Sequence, residues 1–310
     1  MQFRQLRYFV KIVEAGSFSR AASIVHIAQP ALSQQIADLE ERLGVSLLQR
    51  SARGVRPTAA GEILYKKATA ILHQLDQLPG LVRSSSGEPE GVVSLGIMAS
   101  LAPKMVGGIL EECHAIIPKV TIRVTDGDSL GLERKIASGT LDIAIVYEDE
   151  FLTPLSRKPL FTQKLYLVSH APVPGQKDVI SLDRIAELPL VLPGPTRGRR
   201  RDMIERTFAN AGLQPRIALE ADSLASEMWA VQNNIGCALV PIGDVSHFGP
   251  GAFAKPILIE PVMYMTCSIV YSSDLPLTNA GQAVCEFLPD FIKRRVSHPD
   301  MPGVEWVAKG

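Results

Sequence analysis

One stretch, residues 27–44, constrains the fold most, because it has the apolar spacing of an amphipathic helix. Apolar residues recur along it at intervals of four and three positions: Ala28, Leu32, Ile36, Leu39 and Leu43. Gly44 follows them at the position where glycine commonly ends a helix. The spacing predicts a helix with one face packed on a core and the opposite face left for solvent or for a partner.

The opposite face of this helix is uncharged near its start. It carries short or amide-bearing residues: Gln29, Pro30, Ser33, Gln34 and Ala37. In the major groove of DNA, Gln can pair with adenine through a donor and an acceptor together, Ser adapts to either kind of base edge, and Ala can contact the thymine methyl group. Such a face suits base reading, and an ordinary solvated helix is the alternative that this stretch alone leaves open.

The flanking residues favour the DNA-binding interpretation. Residues 2–14 have the apolar face of a helix that ends at Gly16, and Ser17 is an N-cap candidate for a short helix after it. Two short helices joined by a tight turn form a helix-turn-helix. Residues 45–50 and 53–57 then predict two strands of a β-wing, whose arginines would lie along the phosphate backbone or enter a minor groove.

A long helix is predicted next, with Thr58 as its cap. Its apolar residues follow the heptad spacing of a coiled coil: Leu64, Ala68, Ile71, Leu75, Leu78 and Val82. Such a seam usually pairs two chains, and packing within its own domain is the alternative. Pro79 interrupts the seam, so we expect the regular helix to stop or kink near Leu78.

Strands and helices alternate after the Ser-, Gly- and Pro-containing linker at 84–91. The alternation forms two series, 92–147 and 190–240, and extended crossing segments follow each series at 160–169 and 257–271. The pattern predicts two α/β halves that form a hinged clamp, with a ligand at the carboxyl ends of the strands between them.

Charge and cysteine content narrow the class of protein. The net charge is zero, but residues 1–60 hold eight basic and four acidic residues, which points this segment toward a polyanion. The four cysteines are widely spaced and favour buried free thiols in a reducing compartment over disulfides or zinc. The first residues lack the apolar core of a signal peptide, and no apolar run reaches the roughly 18 residues of a membrane span. We expect a cytoplasmic protein with no membrane partner, no metal and no cofactor.

The sequence resembles the LysR-type transcriptional regulators over essentially its whole length. The resemblance is carried by dense motif segments: Gly16-Ser17-Phe18-Ser19-Arg20-Ala21-Ala22, residues 27–36, Leu47-Leu48-Gln49-Arg50 and Arg56-Pro57-Thr58. Within that family, residues 8–13, 26–30 and 53–55 look most like the nitrogen assimilation control subgroup.

The resemblance implies an N-terminal all-α winged helix-turn-helix with a long linker helix, and a C-terminal α/β periplasmic-binding-protein-like domain of two subdomains. It places a DNA-binding domain at 1–58, the linker and dimerisation helix with its hinge at 59–90, and the effector-binding domain at 91–310. Subdomain I would comprise 91–163 and 267–310, and subdomain II would comprise 164–266. The irregular tail, 298–310, matches no element.

The resemblance also implies roles for individual residues. The residues that face bases are Gln29, Pro30, Ser33 and Gln34. Those that contact the DNA backbone or minor groove are Ser17, Arg20 and Arg53. Effector-binding positions carry over to Ser100, Ser129 and Thr196, each where a helix N-terminus would direct N–H groups at an anion. The implied partners are double-stranded promoter DNA, a small effector for which an anion is the candidate, further copies in a homodimer or homotetramer, and RNA polymerase as a candidate.

Two rival functions can be stated from the residues. The run Gly127-Asp128-Ser129-Leu130-Gly131 matches the nucleophile elbow of α/β hydrolases and the Gly-Asp-Ser-Leu signature of a hydrolase family. A hydrolase needs a base within reach of Ser129, and the histidines, for example His114 and His170, have no evident orienting carboxylate. We therefore predict no catalytic residue and no enzyme, with a serine hydrolase as the alternative.

A solute-binding protein is the second rival, because the two α/β halves alone would suit one. The basic N-terminal module and the missing leader count against it. A cluster of Arg197, Arg199, Arg200 and Arg201 opens a helix in the second half. We interpret this cluster as a solvated face, or as a rim that favours anionic effectors, rather than as a second nucleic-acid patch.

Overall fold

The computed structural model describes residues 1–51, 54–83, 87–148, 155–175, 178–194, 198–245, 248–249, 251–297 and 303–307. The chain divides into an N-terminal unit, which comprises Met1–Arg83 and Ser138–Thr140, and a C-terminal unit, which comprises Ser84–Ala137 and Leu141–Gly310. Each unit has its own hydrophobic core. The predicted fold class, a winged helix-turn-helix with a long helix followed by an α/β domain of two halves, is confirmed.

The N-terminal unit is helical apart from a two-stranded sheet. Its elements are α1 (Phe3–Ala15), α2 (Phe18–Val25), α3 (Gln29–Leu43), β1 (Leu48–Ser51), β2 (Gly54–Pro57) and α4 (Ala59–Arg83). The buried side chains that form its core come mainly from four helices: Leu6, Phe9 and Ile12 of α1, Phe18, Ala21 and Ala22 of α2, Leu32, Ile36 and Leu39 of α3, and Ala68 and Leu72 of α4. Burial of these side chains holds the helix-turn-helix together, because each removes apolar surface from water.

The ends of the helices follow the sequence signals. Gly16 ends α1 and Gly44 ends α3, both in the left-handed conformation that glycine tolerates best. Ser17 caps α2, since its side chain accepts a hydrogen bond from the Arg20 amide. The apolar face of α3 is shorter than predicted. Ala28 and Leu43 are exposed because they lie at the two ends of the helix, beyond the part that packs on the core.

The wing is antiparallel, with Leu48 opposite Pro57 and Ser51 opposite Gly54. Its first strand begins later than predicted because Glu40 holds the preceding turn: its Oε1 accepts from the amides of Leu47 at 2.6 Å and Leu48 at 3.1 Å. A backbone hydrogen bond joins β2 to the turn between α1 and α2, because the Val55 amide donates to the Gly16 carbonyl at 2.9 Å.

Helix α4 begins as predicted and ends later. Thr58 Oγ1 accepts from the Gly61 amide at 3.0 Å and so caps the helix. The helix continues through Pro79 to Arg83, so of the expected stop or kink near Leu78 the stop is wrong, and the kink stays a prediction. Pro79 is exposed, where water can satisfy the carbonyl that the proline leaves without an amide donor.

The C-terminal unit alternates strands and helices. Its strands are β3 (Gly91–Met98), β4 (Val120–Gly127), β5 (Ile143–Tyr147), β6 (Leu155–Val168), β7 (Val179–Ser181), β8 (Leu190–Pro193), β9 (Ile217–Ala221), β10 (Cys237–Pro241), β11 (Ile257–Glu260), β12 (Tyr264–Ser272) and β13 (Val304–Trp306). Its helices are α5 (Ala102–Ile116), α6 (Ser129–Ala137), α7 (Leu182–Ala186), α8 (Gly198–Asn210), α9 (Leu224–Gln232), α10 (Ile242–Val245) and α11 (Asn279–Val296).

The strands form one sheet whose main path is β4-β3-β5-β12-β6-β10-β8-β9. Strand β3 pairs in parallel with β4 and β5 in one half, and β8 pairs in parallel with β9 and β10 in the other. The long strands β12 and β6 pair antiparallel between these halves. This arrangement confirms two α/β halves joined by extended crossing segments.

The crossing segments and the tail differ from the predicted boundaries. Strand β6 begins earlier than the predicted 160–169, and the predicted segment 257–271 is divided between β11 and β12. In the tail, β13 pairs antiparallel with residues 161–163 of β6, and Lys164 Nζ lies 2.8 Å from Glu305 Oε1. Elements as short as β7, α10 and β13 have too few residues for a periodic pattern, so sequence periodicity could not reveal them.

The cysteines, the possible metal ligands and the lengths of the helices bear on the kind of site that the described residues can form. Cys113, Cys237 and Cys267 are buried free thiols, and burial raises the pKa of Cys113 and Cys237 above the usual thiol value. Among the described residues, no cluster of His, Cys, Asp or Glu could hold a metal ion. None of the described helices has the length and apolar character that a membrane span requires.

Candidate functional site

The structure brings the predicted base-reading residues together on the first two turns of α3. Gln29, Pro30 and Gln34 are exposed, and Ser33 is half-buried beside them. Residues three or four positions apart are neighbours on a helix surface, and this spacing links Gln29 to Ser33 and Pro30 to both Ser33 and Gln34. These four side chains form one uncharged surface, which we call the reading face. Its opposite side packs on the core through Leu32 and Ile36.

An arginine of the wing contacts the reading face. Arg50 Nη2 donates to Ser33 Oγ at 2.8 Å, and its guanidinium lies 4.2 Å from the centre of the Phe18 ring. Cation–π contact with the ring holds the guanidinium in place. The sequence analysis placed Arg50 only among the wing arginines expected at the DNA backbone or minor groove and did not predict its contact with Ser33, although its place next to a predicted recognition helix was a usable signal.

An acidic residue also contacts the reading face. Gln34 Nε2 donates to Asp38 Oδ1 at 2.8 Å across one turn of α3. Asp38 is not among the residues that the sequence analysis assigned to this face. The i,i+4 spacing of an amide and a carboxylate was the signal that could have linked them.

The structure describes two of the three residues predicted to contact the DNA backbone or minor groove, Ser17 and Arg20. Ser17 is half-buried at the start of α2, and Arg20 is exposed in its first turn. Arg56 is exposed on β2. Arg53 lies outside the described residues.

The C-terminal unit contains a cavity of about 250 Å³. Its lining includes the last residues of strands from both α/β halves: Met98, Gly127, Tyr147, Pro193 and Ala221. A cavity at the carboxyl ends of parallel strands is the position that the alternating pattern predicted. The cavity is therefore the candidate effector site.

Two predicted effector-binding residues line this cavity. Ser100 Oγ is buried and has no hydrogen-bond partner among the described atoms. Ser129 opens α6, accepts from the Tyr147 amide at 3.2 Å and donates to Met98 Sδ at 3.3 Å. Since a thioether is a weak acceptor, the Ser129 hydroxyl retains the capacity to bond a ligand. Thr196, the third predicted residue, lies outside the described residues.

The arginine cluster does not form the solvated face that the sequence suggested. Arg199 Nη1 donates to the Glu148 carbonyl at 2.6 Å, and Arg200 pairs with buried Glu227. Arg201 is buried and pairs with two carboxylates, which belong to Glu205 and Glu220. The interpretation as a solvated face fails because Glu220 and Glu227, distant in sequence, and Glu205, one turn along α8, pair with the cluster. The alternative, a rim that favours anionic effectors, stays a prediction. Arg199 and Arg200 do line the cavity, and Arg197 lies outside the described residues.

The described residues around Ser129 bear on the alternative of a serine hydrolase. Among the described residues that line the cavity there is no histidine. Asp128 instead acts locally, because its Oδ1 accepts from the Gly131 amide at 2.8 Å in the first turn of α6. The Gly-Asp-Ser-Leu run thus forms a strand-to-helix turn at the cavity wall, with Ser129 in the first turn of α6.

Known protein families match the sequences of both units. Residues 3–62 match the family described as bacterial regulatory helix-turn-helix protein, lysR family, and residues 86–292 match the LysR substrate binding domain. The nitrogen assimilation regulatory protein nac of Escherichia coli (strain K12) is 33% identical over 308 residues, covering 99% of each chain. This relative supports the resemblance to the nitrogen assimilation control subgroup.

Solved structures share the fold. CbnR, a LysR family transcriptional regulator, has a TM-score of 0.71 at 22% identity and covers 95% of this chain and 99% of its own. A full-length OxyR variant from Pseudomonas aeruginosa has a TM-score of 0.70 at 23% identity and covers 100% of this chain and 99% of its own. With both family domains matched in order and a full-length relative above 30% identity, the chain belongs to the LysR family of DNA-binding transcriptional regulators.

Proposed function

We propose that this LysR-type regulator reads a promoter sequence with the reading face of α3. In this proposal Gln29, Pro30, Ser33 and Gln34 contact base edges in the major groove. The observation that carries it is an exposed, uncharged surface at the start of a helix, bordered by basic residues of the wing. Uncharged polar side chains discriminate between base edges, and basic residues supply attraction to phosphates that does not depend on sequence.

The residues around the reading face position the protein on the duplex. Ser17 and Arg20 contact the backbone, and Arg53 contacts the backbone or a minor groove. A structure of full-length CbnR with its target DNA, a neighbour at 23% identity and a TM-score of 0.70, supports the DNA-bound use of this fold. The DNA-binding domain comprises 1–58 and the linker helix with its hinge 59–90.

The cavity of the effector domain, residues 91–310, binds a small molecule that modulates activity. Ser100, Ser129 and Thr196 are the contacts, with Ser100 Oγ supplying a buried hydroxyl that has no partner among the described atoms. Subdomain I comprises 91–163 and 267–310, and subdomain II comprises 164–266. A ligand held between the halves changes their closure, because it favours the closed arrangement by its contacts with both.

Helix α4 pairs two chains in this proposal. The later positions of its heptad seam remain uncovered in the single chain, with Leu78 49% and Val82 77% exposed. A second copy would cover them, giving a homodimer that can assemble further into a homotetramer. RNA polymerase is the proposed partner of the promoter-bound protein. The protein acts in the cytoplasm and is not an enzyme.

The experiment is a gel-shift titration with wild-type protein and the Gln34→Ala variant. The specific duplex comes from selection out of a randomised library, and a scrambled duplex of equal length serves as the random DNA. We expect the variant to lose affinity for the selected duplex only. Equal loss on both duplexes would refute the assignment of α3 to the groove.

A further inference from the structure

Arg50 and Asp38 lie outside the reading face and hydrogen-bond to Ser33 and Gln34 within it. A guanidinium can only donate a hydrogen bond, and a carboxylate can only accept one. We infer that Arg50 and Asp38 are positioning residues that fix the hydrogen-bond polarity of Ser33 and Gln34, and so determine which bases α3 prefers. The inference rests on the proposed reading of DNA by α3. It concerns what the face presents, rather than whether it enters the groove.

Arg50 sets the polarity of Ser33. A guanidinium is only a donor, so the 2.8 Å bond from Arg50 Nη2 requires Ser33 Oγ to accept. The hydroxyl proton is then directed elsewhere, and the positive charge polarises the O–H toward donation. In the major groove this proton suits guanine O6 or N7, adenine N7 or thymine O4, whereas cytosine presents a donor. Contact with the Phe18 ring, 4.2 Å from the guanidinium carbon, keeps Arg50 in this position.

Asp38 sets the orientation of the Gln34 amide. An ionised carboxylate is only an acceptor, so the group 2.8 Å from Asp38 Oδ1 must be the amide nitrogen of Gln34. One N–H is thereby occupied, and the carbonyl oxygen and second N–H remain for a base. Adenine matches this pair, because its N6 donates and its N7 accepts. With the amide held in one orientation, the reversed arrangement of donor and acceptor is not offered to the groove.

The test is selection of binding sites from a randomised duplex library by the purified full-length protein. Ser33→Ala and Gln34→Ala first identify the base positions that each side chain reads. Asp38→Asn keeps the shape of residue 38 but offers either polarity to Gln34. We expect this variant to relax base discrimination at the Gln34 position by at least about fivefold. The matched control is Glu41→Gln, which removes the same charge from an exposed site of α3 and should leave every base preference unchanged.

Arg50 is tested in the same selection. Arg50→Met should admit cytosine at the position read by Ser33, with discrimination falling by at least about fivefold, and Arg50→Lys should restore part of it. Arg56→Met, which removes an exposed charge from the adjacent strand, should weaken all sequences without altering preference. Thermal unfolding of each variant verifies that it is folded.

The outcomes separate the two claims. If Ser33→Ala and Gln34→Ala alter base preferences while Asp38→Asn and Arg50→Met do not, the positioning roles are wrong and the groove reading stands. If Ser33→Ala and Gln34→Ala alter no preference, the proposed reading face itself is wrong. Relaxed preference with Asp38→Asn and with Glu41→Gln alike would also overturn the inference, since charge alone would then explain the change.

Discussion

The reading face of α3 and the cavity of the effector domain use polar residues in opposite ways. On the reading face, Gln34 is bonded by Asp38, one helical turn away, and Ser33 by Arg50 of the wing. In the cavity, the charged groups come from distant segments and neutralise one another, as Arg200 and Glu227 do, while Ser100 Oγ has no partner among the described atoms. The difference indicates that one unit presents a surface prepared for DNA, and that in the other unit the Arg200–Glu227 pair of the cavity mainly stabilises the fold.

The largest effect should come from breaking the buried ion pair of the cavity. Arg200 and Glu227 have side chains only 15% and 3% exposed, so Arg200→Met removes the guanidinium that pairs with a buried carboxylate. We expect a loss of about 3–5 kcal/mol in the free energy of unfolding. Chemical denaturation measures it, with Arg184→Met as control, because the Arg184–Glu187 pair is exposed and should contribute no more than about 1 kcal/mol. Equal effects of both variants would show that the cavity charges are not structural.

The next effect concerns the N-terminal unit. A Cβ at Gly61 would lie 2.0 Å from the Leu47 carbonyl oxygen, so Gly61→Ala must move α4 or the turn before the wing. We expect a loss of about 1–3 kcal/mol or more in stability, with weakened DNA binding. Gly107→Ala is the matched control, since Gly107 is a helical glycine with no atom within 4 Å of the added Cβ, and it should be neutral or stabilising. A stable Gly61→Ala variant with full DNA affinity would contradict the packing of the wing.

A smaller effect is expected on DNA affinity when a residue that contacts phosphates, rather than bases, is replaced. Arg53→Ala should weaken binding to every sequence and lower the slope of log affinity against log salt by about 1. The measurement is a salt series on selected and scrambled duplexes, with Arg134→Ala of α6 as a control of equal charge. Loss confined to the selected duplex would instead make Arg53 a base-reading residue.

The smallest effects compare a serine from each region. Ser17→Ala removes the N-cap of α2 and should cost about 1 kcal/mol of stability. Ser100→Ala should change stability by less than about 0.5 kcal/mol, because the buried hydroxyl has no partner among the described atoms to lose. Thermal unfolding of the two variants tests the pair. A larger loss for Ser100→Ala would mean that its hydroxyl supports the fold rather than a ligand.

The predictable parts of the molecule were those with local signals. Helix α3, the caps at Ser17 and Thr58, and the cavity at the ends of parallel strands all follow from periodicity, short-range hydrogen bonds and chain alternation. Features that depend on contacts between distant residues could not be predicted in this way. Examples are the ion pair between Arg200 and Glu227 and the pairing of strand β13 with β6. Helix α4 continues through Pro79 because Pro79 is exposed to solvent, and the heptad pattern did not specify which residues of the helix are exposed.

The most direct test of the account is the affinity of Gln34→Ala for its selected duplex and for a scrambled duplex of equal length. The account predicts that binding to the selected duplex weakens by about 5–150-fold, which corresponds to about 1–3 kcal/mol, while binding to the scrambled duplex stays the same. An equal loss on both duplexes, or no loss on either, would contradict the claim that α3 reads sequence through this face.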